Sequence, residues 1–187
     1  MCEGLPMKRE RRLHQLGLSL PAAPKPVGAY VPAVRTGNLV FVSGQLPMKD
    51  GELMTQGHVG GPSTTLGAAL SLSKGGEVTV EEAQDCARQA VLNALAAVAA
   101  EIGGLENVAR IVRVTGYVAS APGFTEQAKV LNAASDLLAE IFGEAGRHSR
   151  VAVGAAELPL GAPVELEMIV EVNGFNAEDA ENAENGL

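Results

Sequence analysis

The stretch Arg147-His148-Ser149-Arg150-Val151-Ala152-Val153-Gly154-Ala155-Ala156-Glu157-Leu158-Pro159-Leu160-Gly161-Ala162-Pro163-Val164-Glu165-Leu166-Glu167-Met168-Ile169-Val170-Glu171-Val172 decides how this chain folds. Its last part alternates. Val164, Leu166, Met168, Val170 and Val172 fall on one side, and Glu165, Glu167, Ile169 and Glu171 on the other. Successive side chains of a strand point to opposite faces, so this pattern predicts a strand with one buried face. The polar cluster Arg147-His148-Ser149-Arg150 opens a second β-like run just after a helix expected to end at Gly143. Leu158-Pro159-Leu160-Gly161-Ala162-Pro163 splits the two runs. If they pair antiparallel about this Pro-Gly-Pro turn, the Arg150 guanidinium and the Glu167 carboxylate come together on a rigid scaffold.

Working outward from there, residues 1–20 read as a helical arm that Leu13 and Leu16 can dock, and Pro21, Pro24 and Pro26 stop it. Residues 21–173 read as a single α+β domain. Residues 30–34 form a first strand candidate, Thr36-Gly37-Asn38 a hairpin-like turn, and Leu39-Val40-Phe41-Val42-Ser43 an apolar run suited to a buried strand. Gly44-Gln45-Leu46-Pro47 ends it. Tyr30 is one of only 2 tyrosines. It reads either as a half-buried strand residue or as part of a pocket lining. Residues 57–77 form a glycine-rich insertion whose spacing matches neither a phosphate-binding loop nor a dinucleotide fingerprint. Its apolar centre, residues 66–72, predicts a short helix or strand. His58 has no second ligand nearby in the sequence, so a metal role is not expected.

Thr79-Val80-Glu81-Glu82 is a capping box at the head of a long helix, which should stop at Gly103-Gly104. Ala83, Ala87, Ala90, Val91, Ala94, Leu95 and Val98 form its apolar stripe, with Asn93 beside them as a buried amide bonded to neighbouring backbone. Cys86 reads as a small packed thiol. Residues 109–119 alternate as another strand, and residues 124–142 as a second long helix, with Val130 or Leu131, Ala134, Leu137 or Leu138, and Ile141 inward. The order predicts one mixed sheet with both helices on one face. The helix-free face must be covered, which predicts a closed homo-oligomer. Residues 174–187 read as a disordered acidic tail.

The chain of 187 residues fits one domain with tails. With 47% hydrophobic but only 3% aromatic residues, its core must be built from Val, Leu, Ile and Ala. A net charge of −8, no Trp and few Tyr argue against binding nucleic acid. The cysteines, Cys2 and Cys86, do not suggest a disulfide framework. No run approaches the ~20 apolar residues of a membrane span, and the charged start lacks a signal-peptide core. The expectation is a cytoplasmic protein without membrane contact.

Several stretches together resemble one family: Gly28-Ala29-Tyr30, Gly37-Asn38-Leu39-Val40-Phe41-Val42-Ser43-Gly44-Gln45-Leu46-Pro47, Asn93-Ala94-Leu95, Phe124, Arg150, Leu158-Pro159 and Val164-Glu165-Leu166-Glu167. Over residues 27–172 the chain is similar to the RidA/YjgF family of reactive-intermediate (enamine/imine) deaminases, whose older label is L-PSP endoribonuclease. The resemblance implies a chorismate-mutase-like α+β fold, assembled as a barrel-shaped homotrimer with pockets between subunits. It also implies cofactor-free, metal-free hydrolysis of 2-imino acids, formed from 2-aminoacrylate, to 2-keto acids and ammonia. Arg150 falls on the family's carboxylate-binding arginine, Glu167 on its water-activating glutamate and Tyr30 on its pocket tyrosine. Ala152 falls on a substrate-binding position that acts mainly through backbone atoms and often carries cysteine. Pro122 departs from the family pattern, standing where many of its deaminases carry asparagine, and the glycine-rich insertion is a further departure.

The chemistry is consistent on its own terms. A planar guanidinium grips a carboxylate through two parallel hydrogen bonds, and a carboxylate such as Glu167 can polarise a water and return its proton to a leaving amine. Three other readings compete. Arg150 and Glu167 can form a structural salt bridge at a subunit interface. The chain can be a non-catalytic trimer that binds a small carboxylate metabolite and regulates a partner. It can also be an endoribonuclease, against which the acidic charge and the lack of paired histidines weigh. Arg147 and His148 read either as added pocket polarity or as structural loop residues.

Overall fold

The alternating run at residues 164–172 forms the middle of a five-stranded sheet in the computed structural model, which describes residues 8–23, 28–61 and 76–174. In chain order the elements are α1 (Lys8–Gln15), β1 (Ala33–Thr36) and β2 (Leu39–Gln45), then the short strands β3 (Met48–Lys49), β4 (Glu52–Leu53), β5 (Gly57–Val59) and β6 (Gly76–Val78). There follow α2 (Val80–Ile102), β7 (Val108–Ala119), α3 (Gln127–Phe142), β8 (Ser149–Ala155) and β9 (Val164–Val172). The large sheet runs β1-β2-β9-β7-β8. It is antiparallel except where β7 lies parallel to β8.

This order corrects one expectation. β8 and β9 do not pair, because β7 lies between them. The Pro-Gly-Pro segment is a crossing connection and not a hairpin turn. It carries a 3₁₀ turn at Pro159–Gly161 and passes over the end of β7, where the Ala119 amide donates to Pro163 O at 2.9 Å and the Ser120 amide to Ala155 O at 3.0 Å. The reason lies upstream. β7 reaches β8 through the helix α3, and such a crossover joins parallel neighbours. The antiparallel place on the other side of β7 is then left for β9.

The face of β9 that carries Val164, Leu166, Met168, Val170 and Val172 is buried under α2, while α3 packs on β7 and β8. Helix α2 starts on the expected capping box: the Glu82 amide donates to Thr79 Oγ1 at 3.2 Å, and the Thr79 amide to Glu82 Oε2 at 2.9 Å. It ends at Gly103, whose φ of 74° is left-handed and suits glycine. All of its predicted stripe is buried. The small side chains let its backbone lie close to the sheet, while the fully buried Val91, Leu95 and Val98 each contribute about 1.5–3 kcal/mol. Asn93 is buried as expected, its Nδ2 donating to Leu46 O and Met48 O at 2.8 and 3.0 Å.

Two boundaries differ from expectation. β1 starts at Ala33 and leaves Tyr30 in a bend, since Pro32 has no amide to give to the ladder and only its carbonyl is used, by the Ser43 amide at 2.9 Å. α3 starts at Gln127 and leaves Phe124 in the preceding loop. The Phe124 ring covers Gly60, where a Cβ would stand 2.1 Å from it. Helix α1 docks through buried Leu13, with the Arg9 guanidinium 5.3 Å from the centre of the Phe142 ring. β5 and β6 pair in parallel on either side of residues 62–75. The predicted element at residues 66–72 and the acidic tail beyond residue 174 lie outside the described residues. Among the described residues no helix is long and apolar enough to cross a membrane.

Candidate functional site

Glu167 stands mid-strand on β9, exposed on the helix-free face. On one side it is level with Thr115 of β7. On the other, the pairing of β2 with β9 slips between Val42 and Gln45, so that Ser43 and Gly44 together face the single residue Glu167. Such a bulge bends the strand and re-aims side chains around it. Ser43 Oγ donates to Val31 O at 2.7 Å and ties the segment after Tyr30 to the bulge. Gly44 is required for a second reason: a Cβ there would lie 2.0 Å from Oε1 of Glu165. Gly44 of the Ser-Gly-Gln motif therefore makes room for the Glu165 carboxylate.

Glu165 and Glu167 share a face, being two residues apart on one strand. Tyr117, level with Glu165 on β7, points its hydroxyl at Glu167 Oε1 over a long 3.5 Å. Burial, and then the Glu167 charge, push the Glu165 carboxyl above its ordinary range. Burial and the same charge raise Tyr117. One carboxyl of the pair thus leans toward holding a proton while its neighbour is solvent-exposed.

Arg150 lies on β8, level with Val114. Its partners all belong to α3. Nη1 donates to Asn132 Oδ1 at 3.1 Å and to Ser135 Oγ at 2.9 Å, and Nη2 donates to Ala128 O at 3.4 Å. A guanidinium has five N–H groups. The Nε hydrogen and one on Nη2 therefore have no partner among the described residues. Ala152 follows on the same side of β8 and packs against the core, level with Gly116, where a Cβ would stand 2.3 Å from the Leu131 side chain.

Arg150 therefore faces the helices and Glu167 the opposite face of the sheet, with β7 between their strands. The two do not meet within one chain, and among the described residues no carboxylate pairs with Arg150. Tyr30 is 51% exposed in the bend before β1, near the Ser43 end of β2. Pro122 sits in the turn between β7 and α3, next to Gly123 with its φ of 86°. Arg147 is paired with exposed Glu144 at 3.1 Å, whereas His148 is tied to α3 through Ser135. Burial pushes the Cys86 thiol up to about 11, which suits packing and not nucleophilic chemistry. Sequence reasoning assigned nothing to Tyr117, although its place in the alternation with Arg113 and Thr115 already put it on one face with them. Asn132 and Ser135 carry no sequence signal of this role, because their bonds to Arg150 link residues far apart in the chain.

Two helices on one face of a mixed sheet place the chain in the chorismate-mutase-like class of α+β domain. Residues 10–172 match the family described as "YjgF/chorismate_mutase-like, putative endoribonuclease", and the chain belongs to this RidA/YjgF family. It is 45% identical to Protein TCP17 of Trypanosoma cruzi over 163 residues, 86% of this chain and 92% of that one. It is 32% identical to the 2-iminobutanoate/2-iminopropanoate deaminase of Dermatophagoides farinae over 155 residues, 83% of this chain and 94% of that one. Among solved structures it resembles Atu1372 from Agrobacterium tumefaciens, a protein of unknown function, with a TM-score of 0.76 and 42% identity, covering 88% of this chain and 92% of that one.

Proposed function

We propose that this protein hydrolyses reactive 2-imino acids, and the enamines in equilibrium with them, to 2-keto acids and ammonia, in sites formed between the subunits of a homotrimer. The observation that carries this reading is the Arg150 guanidinium, fixed by three acceptors of α3 while two N–H groups have no partner among the described residues. Two free N–H groups suit a carboxylate, and pinning the rest of the group in advance lowers the cost of ordering it on binding. The similarity to a named 2-iminobutanoate/2-iminopropanoate deaminase supports the same substrate class.

In this reading Arg150 holds the substrate carboxylate, with backbone groups of Ala152 on the edge strand β8 beside it. Glu167 of a neighbouring subunit takes a proton from water as the oxygen attacks the imine carbon. That proton passes to the nitrogen to give a carbinolamine, and the second water proton follows from the new hydroxyl to the nitrogen as the carbon–nitrogen bond breaks, releasing ammonia and a 2-keto acid. Tyr30 lines the pocket. No covalent intermediate is required, since orienting water and substrate supplies much of the acceleration. A site using both Arg150 and Glu167 needs two chains, because one chain carries them on opposite faces.

The test is ammonia release from freshly generated 2-iminopropanoate. Native protein should turn it over. Arg150→Ala should raise KM about 10- to 100-fold, as loss of a charge-assisted contact worth about 1.5–3 kcal/mol predicts. Glu167→Gln should abolish turnover but still bind pyruvate as a carboxylate probe. A native protein that binds pyruvate through Arg150 without turning over the imine would instead be a carboxylate-binding regulator.

A further inference from the structure

We propose that Ser135 and His148 are positioning residues that aim the Arg150 guanidinium through a directed chain of hydrogen bonds, so that a neutral imidazole is needed for full affinity toward the carboxylate. The proposal rests on the reading of Arg150 as the carboxylate anchor.

Its geometry leaves one proton arrangement. Gly146 O lies 2.7 Å from His148 Nδ1 and can only accept, so Nδ1 carries a hydrogen. In a neutral ring Nε2 is then an acceptor. Ser135 Oγ lies 3.1 Å from Nε2 and must be its donor. With its only hydrogen given to the ring, the hydroxyl presents lone pairs to Arg150, whose Nη1 donates to it at 2.9 Å. The chain of donors thus runs from Arg150 to Ser135 to His148, while His148 is itself anchored to Gly146. A proton added at Nε2 turns that nitrogen into a donor. It reverses the Ser135 hydroxyl and places a second cation beside Arg150.

The surroundings favour the neutral ring. Burial lowers the His148 pKa, and the Arg150 charge lowers it further against the opposing bond to Gly146 O. Of the other charged groups close by in the chain, Arg147 is paired with Glu144 of the 3₁₀ turn before β8, and Asp136 of α3 is exposed beside Ser135. Every side chain that fixes Arg150 comes from α3, and His148 is the link that sets which way the Ser135 hydroxyl points.

The experiment measures KM and kcat for 2-iminopropanoate from pH 5 to 8 in native protein, Ser135→Ala, His148→Leu and His148→Gln. Glutamine keeps an acceptor for Ser135 but does not titrate. Expected are a KM raised about tenfold in Ser135→Ala and His148→Leu with kcat within about twofold, and a KM near native at pH 8 in His148→Gln. Native KM should rise as the pH falls past the ordinary histidine range, since burial lowers the His148 pKa, with that added rise absent in His148→Gln. An unchanged KM in both Ser135→Ala and His148→Leu, or identical pH profiles for native and His148→Gln, overturns the proposal. The imidazole is followed in parallel by nitrogen-15 NMR, which does not need turnover. A neutral Nδ1–H ring whose pKa moves in Ser135→Ala and in Arg150→Ala upholds the chain of bonds even if the deaminase reading fails. A ring that titrates alike in all three proteins overturns it.

Discussion

Gly44 and Glu165 show how much a single position can hold. The carboxylate occupies the space where any larger residue at 44 would put its Cβ, so the two residues are one device. Its cost shows in the titration of Glu165, raised by burial and by Glu167. A carboxyl with a raised folded-state pKa binds its proton more tightly in the folded chain than in the unfolded one. Its favourable contribution is present at low pH and is lost as the pH rises through the folded value. At neutral pH a penalty remains. Glu165→Gln should therefore raise Tm at pH 7.5, by about 2–4 °C for each kcal/mol relieved, and give no such gain at pH 4. A Tm difference that is the same at both pH values would contradict this account. At this scale the sequence was partly legible. Arg150 stood out as the cation that opens a β-like run, and Glu167 as a carboxylate on the polar side of the β9 alternation beside Glu165 and Glu171; the family resemblance singled out both. Tyr117 and the partners of Arg150 did not, since hydrogen bonds between α3 and β8 leave no periodic mark on either segment.

The elements whose ends are written locally were the easiest to read. Thr79 and Glu82 satisfy each other's amides at the start of α2, and Gly103 closes its end. Thr79→Ala removes one of those bonds and should destabilise the protein by about 1 kcal/mol, seen as a drop in Tm with turnover per folded molecule unchanged. A loss of turnover without a shift in Tm would mean that the cap does more than hold the helix. Strand neighbours were harder. Residues 158–163 have the composition of a turn, and a turn reads the same whether the next strand lies alongside or one place further over. The long β7, bonded on both sides by strands that follow it in the chain, decided the matter. The ends of β1 and α3 shifted for similar reasons: Pro32 and the Phe124–Gly60 contact cut both elements shorter than their apolar pattern.

For the whole molecule, alternation was enough to foresee a sheet covered on one side only. The uncovered side carries Val34, Phe41 and Val153, each exposed, beside the carboxylates of Glu165 and Glu167. A wide face of this kind suits contact with other copies of the chain. The arrangement of strands adds what alternation could not. With β7 between β8 and β9, each chain presents its arginine at one surface and its glutamate at another. Such a protein is open to complementation. Arg150→Ala chains, assayed at substrate well below their raised KM, and inactive Glu167→Gln chains should regain turnover when unfolded together and reassembled. In an equal mixture about a quarter of the junctions in a cyclic assembly would join an intact arginine to an intact glutamate. Activity near that fraction of native would mean that catalysis belongs to the junction, so that selection on this sequence acts on what one copy offers to the next.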